Sequence, residues 1–438
     1  MIGGYLRISS VIDVENQTIE DNPAFVCRRS ACEVHDTLDC ECAIDNAQLI
    51  EPLVVRVIQD VAAWDVIREE WDRLYAASPT ASTPLDFVWL RRWWQVYASV
   101  YGAGGLRIIT LWRGSVLSGA LPLYIAGADA GRAVARCLRF VSTGEAEYEE
   151  ICPDYLDLLH LPGEETACAE ATWLAIDAIE WDTLELLDLP QTSPLVRGLE
   201  FSPRRRRTRI ATRGGCPIAN LDGGFDRYLT QLSSKTRMRA RQEIRKAEKS
   251  GVLFELATEA DSDAYFDDLI RLHQTRWIAE GKPGCFSAPR FTQFHRGLLP
   301  AWTKSGRLIL ARLSHQGKAY VVLYGFVTGA KFDLYQLGVA SIEGTNIRSP
   351  GTLANLLLMA QLAGRGVNRY DFLRGNSEFK KSLTTEHRDL VCLQCRRLTS
   401  RALLDQAMRL LTRLFRKMSR MVRQGLTSSR GAGRAGVH

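Results

Sequence analysis

Apolar residues follow two patterns along most of this chain. Stretches rich in β-branched and aromatic residues are typical of strands, and apolar residues spaced three and four apart are typical of helices. The clearest unit is 331–375: 332–339 has strand composition, 352–363 is apolar nearly all round a helix, and 368–373 has strand composition again. A helical crossover of this length places its two strands parallel in one sheet. The pattern therefore predicts a strand, loop, buried helix and strand in the second half of the chain.

The same order of elements is predicted twice. A strand, two helices, antiparallel strands, a crossover helix and a final strand are indicated over 52–189 and again over 253–373. Repetition of a whole supersecondary order indicates an internal duplication. We therefore expect an α/β protein with mixed sheets in two tandem domains.

Composition agrees with two globular domains. The 438 residues are 46% apolar and 24% charged, which suits two packed cores rather than one. The expected organisation is a poorly ordered segment 1–50, a first domain 51–200, a basic linker 201–216 that contains four consecutive arginines, a second domain 217–398, and a basic amphipathic helix with a disordered tail over 399–438.

Location and metal content are constrained by what the sequence lacks. No apolar run is long enough to cross a bilayer, and the first residues lack the charged start and apolar core of a signal peptide, so a cytoplasmic protein is expected. The eleven cysteines have scattered spacing, which favours free thiols. Four of them, Cys27, Cys32, Cys40 and Cys42, do not form the paired C-x-x-C pattern of a zinc site, so no metal is predicted.

Two segments concentrate positive charge. A helix expected over 225–250 exposes Lys235, Arg237, Arg239, Arg241, Arg245, Lys246 and Lys249. It could hold a polyphosphate or an anionic acceptor, or simply face water. No aromatic residues are interleaved for stacking on nucleic-acid bases. A second helix, expected over 402–424, separates apolar from basic residues, and it could lie on an anionic membrane surface or dock on the protein.

The loop before the buried helix at 352–363 has the features of an anion site. Arg348, Ser349, Pro350, Gly351 and Thr352 stand between the strand and the helix. Pro and Gly open a helix without blocking its first turn, so free backbone N–H groups and the positive end of the helix dipole face outward. An anion is expected to bind there.

This strand, Arg-x-x-Gly-x turn, helix and strand resemble the acyl-coenzyme A pyrophosphate unit of the GNAT acetyltransferase fold. The stretches SPGTL and YDFLRG are similar to a subfamily related to CelD-like proteins and, distantly, to the FemAB peptidyltransferases. The resemblance implies two tandem GNAT-like domains, acyl-coenzyme A as donor substrate, no permanently bound cofactor, and donor binding by Arg348, Ser349, Gly351 and Thr352.

The matching place in the first half has a different composition. The loop 144–159 is acidic, with glutamates at 145, 147, 149 and 150, and an acidic loop repels phosphate. The first domain is therefore expected to be a degenerate GNAT-like partner that shapes the acceptor cleft. A solvated loop without a special role is the alternative.

Candidate catalytic residues lie near the expected cleft. Acyl transfer needs a base for the attacking group and a proton for the leaving thiolate. Tyr324 and Tyr335 are candidates to protonate the thiolate, and Asp333 and Asp371 are candidates for the base. Asp371, Arg374 and Lys380 also belong to elements that resemble the subfamily's D-F-x-R-G and Tyr-Lys motifs.

Acceptor-binding candidates come from a helix and a strand. His273, Arg276 and Trp277 stand in LHQTRW, which is similar to the subfamily's helix motif, and Gln336 stands on the strand 332–339. These four residues are expected to border the acceptor pocket.

Three functions remain open at this point. The leading hypothesis is an acyltransferase that moves an acyl group from acyl-coenzyme A to a small or saccharide-linked amine or hydroxyl. The CelD-like resemblance implies a place in exopolysaccharide, cellulose or envelope synthesis. One alternative is a FemAB-like transferase that takes its donor from aminoacyl-tRNA, bound on the basic helix. The other is a non-catalytic scaffold with a degenerate transferase fold, recruited to a membrane by the C-terminal helix.

Overall fold

The computed structural model describes residues 51–126, 135–375, 377–408 and 410–411. Its strands are β1 Leu53–Ile58, β2 Leu106–Arg113, β3 Val116–Ala126, β4 Cys137–Phe140, β5 Leu159–His160, β6 Thr183–Pro190, β7 Arg209–Asn220, β8 Leu253–Leu256, β9 Leu308–His315, β10 Lys318–Thr328, β11 Lys331–Val339, β12 Arg369–Asp371 and β13 Glu386–Arg396. Its α-helices with both ends in these residues are α1 Val61–Val66, α2 Arg68–Ala77, α3 Phe87–Tyr101, α4 Glu165–Ala178, α5 Pro194–Arg197, α6 Phe225–Gln231, α7 Ser234–Ser250, α8 Ser262–Ala279, α9 Pro289–Arg296, α10 Leu299–Lys304, α11 Pro350–Ala363 and α12 Glu378–Leu383.

The thirteen described strands form one mixed sheet. Their order is β1-β2-β3-β4-β6-β13-β7-β12-β11-β10-β9-β8, and β5 pairs with β3. Two neighbouring pairs are parallel, β4 with β6 and β11 with β12, and the other pairs are antiparallel. Helix α4 crosses over between the first parallel pair and α11 between the second. The expected mixed α/β fold with a repeated element order is therefore confirmed.

The two repeats exchange their last strands. After β6 the chain enters β7, which pairs with β12 of the second repeat, and after β12 it enters β13, which pairs with β6 of the first. Strands β7 and β13 also pair with each other at the centre of the sheet. The two repeats consequently share one continuous sheet.

The predicted linker 201–216 is wrong in its second half. Residues 209–216 belong to β7, which makes backbone hydrogen bonds with β13. Gly214 has a φ of 114°, and a Cβ on Gly215 would displace the exposed His387 side chain on the neighbouring strand. The Arg and Gly residues predicted a linker, but pairing with β13 makes this segment a strand.

Other boundaries also differ from the sequence pattern. The helix expected over 225–250 is two helices, α6 and α7, because Ser233 leaves the helix and its side chain accepts the Thr236 backbone N–H. Residues 400–408 are helical as predicted for the tail, while the remainder of that helix, the segment 1–50 and its four cysteines lie outside the described residues. No helix in the described part of the chain is both long and apolar enough to cross a membrane.

An aromatic core joins the repeats. Trp89 of α3 is fully buried and contacts Phe294 of α9 with ring centroids 4.8 Å apart and Phe326 of β10 at 5.3 Å. Rings in such edge-to-face contact stabilise a core beyond the area that they bury. The elements that surround the expected cleft are therefore held on a packed base to which both repeats contribute.

Candidate active site

Strands β11 and β12 separate at the place where the cleft is expected. The two strands pair only over 331–333 and 369–371, with Asp333 opposite Asp371 as the last pair. Strand β11 then continues to Val339 paired with β10 but not with β12. Strand β11 also contains a bulge, because Leu334 pairs with Gly325 and Gln336 pairs with Tyr324. The extra residue is Tyr335. A bulge redirects side chains. Here Tyr335 meets His295 on α9, and Gln336 meets Cys285 in the turn between α8 and α9.

The turn predicted to bind an anion lies on the opposite side of β11. Helix α11 begins at Pro350, and Ser349 does not cap it with its side chain. Arg348 and Ser349 are exposed, and the backbone N–H of Arg348 donates to Glu243 Oε2 on α7 at 3.1 Å. A Cβ on Gly351 would lie 3.6 Å from Val339 Cγ2, so the fold does not require glycine there. The four donor-binding candidates thus lie together on one accessible turn beside the cleft.

The predicted tyrosines converge on a histidine that the sequence analysis did not single out. His295 Nδ1 lies 3.1 Å from the Tyr324 hydroxyl, and Nε2 lies 3.2 Å from the Tyr335 hydroxyl. Tyr335 donates its proton to the Ile151 carbonyl, so His295 Nε2–H donates to Tyr335 and Nδ1 accepts from Tyr324. Complete burial lowers the pKa of His295 to about 3, so the ring is neutral. Tyr324 is fully buried, which leaves Tyr335 as the tyrosine at the cleft.

The two predicted carboxylates lie at the fork of the strands. Asp333 Oδ1 is 2.8 Å from Lys331 Nζ, and Oδ2 accepts from the Thr83 hydroxyl at 3.2 Å. Asp371 Oδ2 accepts from the Tyr155 hydroxyl at 2.5 Å. Burial raises the pKa of Asp371 to about 6, while the Lys331 ammonium opposes the rise. Both carboxylates are therefore held by first-repeat hydroxyls, which no local pattern indicated.

Arg374 and Lys380 stabilise the chain beyond β12. The guanidinium of Arg374 lies 2.7 Å from Asp188 and 3.4 Å from Asp154, both buried carboxylates of the first repeat. Lys380 Nζ donates to the carbonyls of residues 372, 373 and 374 at 2.6, 3.1 and 3.1 Å. These carbonyls belong to a turn in which Leu373 has a φ of 55°, a strained value for leucine. The structure thus gives both residues structural partners, and their catalytic role stays a prediction.

The acidic loop of the first repeat covers one wall of the cleft. Glu149 is 1% exposed, accepts from the Tyr101 hydroxyl and pairs with Arg290 of the second repeat at 3.1 Å. Ile151, Asp154 and Tyr155 make the contacts with β11, Arg374 and β12 described above. The alternative of a solvated loop is therefore wrong for Glu149, Ile151, Asp154 and Tyr155.

We expect Asp157 in this loop to make the protein less stable as pH rises. Asp157 is buried and accepts from the Ser193 hydroxyl, and burial raises its pKa from 3.8 to about 7. The folded state therefore holds this proton more tightly than the unfolded state, so the stabilisation present below pH 4 is lost as pH rises towards 7. Between pH 5 and pH 8, the free energy of unfolding of Asp157→Asn should rise by about 3 kcal/mol relative to that of wild type. Urea unfolding of wild type and Asp157→Asn at pH 5 and at pH 8 measures this change. The same difference in stability between the two proteins at both pH values would contradict the prediction.

The predicted acceptor residues are brought together only in part. His273 is 4% exposed, and its Nε2 lies 3.7 Å from Cys285 Sγ, to which Gln336 Nε2 also donates at 3.6 Å. Trp277 is half-buried with its ring centroid 5.7 Å from that of His273. Arg276 is instead exposed and pairs with Glu280 at 3.1 Å. Cys285 was missed because a single cysteine in a Gly-Cys-Phe turn carries no spacing signal.

An open depression of about 660 Å³ lies elsewhere, at the start of α4 on the first repeat, and its lining includes Thr80, His160, Gly163 and Arg197. We place the chemistry at β11 because the paired titratable and hydrogen-bonded groups converge there. Within the described ranges, no three His, Cys, Asp or Glu side chains are arranged to hold a metal ion.

The chain is similar in sequence and in structure to known proteins. Residues 234–381 match the family model described as "Acetyltransferase (GNAT) domain". In structure the chain is similar to FemX, with 12% sequence identity and a TM-score of 0.52 over 74% of this chain and 95% of FemX. It also matches a tandem GNAT protein from the clavulanic acid biosynthesis pathway, with 14% identity and a TM-score of 0.40 over 78% of this chain and 98% of that one. None of the curated proteins matches the sequence.

The matched segment begins at α7 and ends in α12, so it contains β11, the turn at 348–352, α11 and β12. These are the elements that form the cleft. Residues 234–381 of this chain are therefore similar to a GNAT-type acetyltransferase domain.

Proposed function

We propose that this protein is an acyltransferase that takes an acyl group from acyl-coenzyme A and transfers it to an amine or hydroxyl acceptor. The observation that carries the proposal is the separation of β11 and β12 beside the uncapped start of α11. The donor's pyrophosphate would bind the N–H groups of that helix start together with Arg348, Ser349, Gly351 and Thr352. Its acyl group would reach the side of β11 where Tyr335 and Gln336 lie.

The acceptor would enter between the first-repeat loop and α8. This wall presents Tyr335, Gln336 and His273, which can hydrogen-bond an amine or hydroxyl and exchange protons with it. We retain Asp333 and Asp371 as proposed bases because they lie where the cleft begins. An amine acceptor would make the protein an N-acyltransferase. CelD-like membership, and with it a role in exopolysaccharide, cellulose or envelope synthesis, rests on the SPGTL and YDFLRG stretches alone.

Helix α7 would extend the donor site with positive charge. It packs on α11, and its Glu243 contacts the turn at Arg348. Arg239 is exposed and stands one turn before Glu243, hence on the same side of the helix, whereas Arg241 is exposed on another side. The 3′-phosphate of coenzyme A is a suitable partner for Arg239.

Arg239→Gln should therefore weaken acetyl-coenzyme A binding by about tenfold at low salt without weakening 3′-dephospho-acetyl-coenzyme A. Arg241→Gln is the matched control, with the same change of charge on the side of α7 that faces away from the turn. Titration calorimetry of both ligands with both variants measures the effect. An equal loss for the two ligands, or for the two variants, would contradict a specific phosphate contact.

A second candidate donor is aminoacyl-tRNA. The FemAB resemblance and the basic side of α7 favour it, since α7 has seven basic residues and two acidic ones, and such an excess of positive charge can follow a phosphate backbone. In the third hypothesis the chain is a scaffold, recruited to a membrane through a C-terminal helix most of which lies outside the described residues.

Calorimetric titration of the full chain with acetyl-coenzyme A and, separately, with a tRNA mixture discriminates the hypotheses. We expect saturable binding of acetyl-coenzyme A. Binding of tRNA alone would replace the proposed donor with aminoacyl-tRNA. Binding of neither, together with sedimentation on anionic vesicles, would support the scaffold.

A further inference from the structure

Four side chains beside β11 form a continuous hydrogen-bonded chain. Gln274 Nε2 donates to the Pro283 carbonyl at 2.8 Å, so the other end of this amide, Oε1, is the atom that faces His273 Nδ1 at 3.1 Å. Because Oε1 can only accept, Nδ1 carries the proton of the imidazole. Nε2 is then the unprotonated nitrogen, and it lies 3.7 Å from Cys285 Sγ. The geometry thus assigns His273 as the acceptor of the Cys285 thiol proton.

Close backbone approaches hold this arrangement. Gly284 has a φ of 70°, and a Cβ there would lie 2.3 Å from Gln274 Oε1. A Cβ on Gly338 would lie 2.8 Å from Leu272 Cβ. Both glycines therefore let the turn at Cys285 and strand β11 approach α8 closely enough for the thiol, the imidazole and Gln336 to meet.

We propose that Cys285 receives the acyl group from the donor before the acceptor does, with His273 as its general base. This inference rests on the proposed function. The thiol sulfur attacks the thioester carbonyl of acyl-coenzyme A while His273 Nε2 takes the thiol proton. The bond between the carbonyl carbon and the coenzyme A sulfur then breaks, and the imidazolium returns the proton to the departing thiolate. In the second step the amine or hydroxyl attacks the new thioester on Cys285, and His273 carries the proton from the acceptor to the cysteine sulfur.

The surroundings of the pair are consistent with these roles. Gln336 Nε2 donates to Cys285 Sγ at 3.6 Å, so it supports negative charge on the sulfur during attack. Burial lowers the pKa of His273, which keeps the ring neutral and able to accept. Burial also raises the pKa of Cys285 to about 12, which disfavours a free thiolate. Removal of the thiol proton by His273 must therefore accompany attack of the sulfur on the thioester. Cys285 is half-buried rather than enclosed, which leaves it accessible from the cleft.

The first experiment looks for the intermediate. Full-length protein is mixed with acetyl-coenzyme A without acceptor, quenched in acid at times from milliseconds to minutes, and digested for mass spectrometry. We expect one acetyl group on Cys285 that hydroxylamine removes, and none in Cys285→Ala. The matched control is Cys137→Ala, which removes a half-buried cysteine of β4 and should leave the labelling unchanged.

The second experiment tests the pair without any donor. Alkylation of Cys285 by iodoacetamide at pH 7 should be at least about tenfold slower in His273→Asn than in wild type, because general-base assistance contributes a hundredfold or more in favourable cases. Alkylation of Cys152, an exposed cysteine of the first-repeat loop, in the same samples reports whether the fold has changed. Equal alkylation of Cys285 in both proteins would overturn the role of His273.

The outcomes separate this inference from the proposed function. Suppose that coenzyme A is released when hydroxylamine serves as acceptor, but that no quench time shows acetyl-Cys285 in the samples without acceptor. Transfer is then direct and the cysteine is not an acyl carrier, while the proposed acyltransferase stands. If acetyl groups appear on Cys152 instead, the assignment of the nucleophile is wrong. If acetyl-coenzyme A neither binds nor releases coenzyme A, the proposed function and this inference both fail.

Discussion

Arg374→Ala should lower the free energy of unfolding at pH 8 by about 3–5 kcal/mol, the usual cost of removing one partner from a buried ion pair. Arg374 lies between Asp154 and Asp188, which are 6% and 1% exposed. Its backbone N–H also donates to Asp154 at 2.7 Å. Without the guanidinium, Asp188 keeps only Arg213 among its described cationic partners, at 3.0 Å, and Asp154 loses its own ion pair.

The pH of this measurement matters. Burial raises the pKa of Asp154 to about 7 even with Arg374 present, so below pH 7 the variant can protonate this carboxyl and recover part of the loss. Urea unfolding at pH 8 therefore gives the larger effect. Arg388→Ala is the matched control, because Arg388 is an exposed arginine of β13 whose removal should change stability by less than about 0.5 kcal/mol.

This prediction also distinguishes two roles for Arg374. If it only joins the repeats, turnover per folded molecule should survive the substitution. A variant with normal unfolding and lost turnover would show instead that Arg374 acts in catalysis, as the D-F-x-R-G resemblance implies.

Arg348→Glu should weaken acetyl-coenzyme A binding by more than tenfold at low salt. A charge-assisted hydrogen bond contributes about 1.5–3 kcal/mol, and reversal of the charge adds repulsion to its loss. The effect should shrink at high salt, because Arg348 is exposed and its charge is screened. The fold should be retained, since the Arg348 contact with Glu243 uses the backbone N–H.

Arg365→Glu is the control for overall charge. Arg365 is exposed just after the last turn of α11. Its substitution by Glu makes the same reversal of charge at the opposite end of the helix. Gly351→Val is a second probe, because a Cβ fits there but a branched side chain would obstruct the approach of phosphate to the helix start. Calorimetric titration at two salt concentrations measures all three variants. Unchanged affinity in Arg348→Glu, or equal losses in Arg348→Glu and Arg365→Glu, would exclude the helix start as the donor site.

Local patterns were sufficient for the strand, turn, helix and strand that surround the expected cleft. The apolar surface of α11 and its Pro-Gly start predicted the second parallel pair and the donor turn, because helix periodicity and turn chemistry are properties of a few consecutive residues. The same reasoning predicted the repeated order in the first half. It also placed Tyr335, Asp333 and Asp371 at the cleft, since a crossover brings the corresponding ends of its two strands to one edge.

Only the tertiary structure decided which residues meet across the repeats. Tyr155 reaches Asp371 over 216 positions of sequence, and Arg374 reaches Asp188. Strand β13 inserts between β6 and β7, and β7 occupies the second half of the expected linker. Cys285 meets His273 and Gln336 only because two glycines permit close backbone approach. Such contacts depend on strand pairing and side-chain packing between segments far apart in the chain, and neither periodicity nor composition records which partner a segment will find.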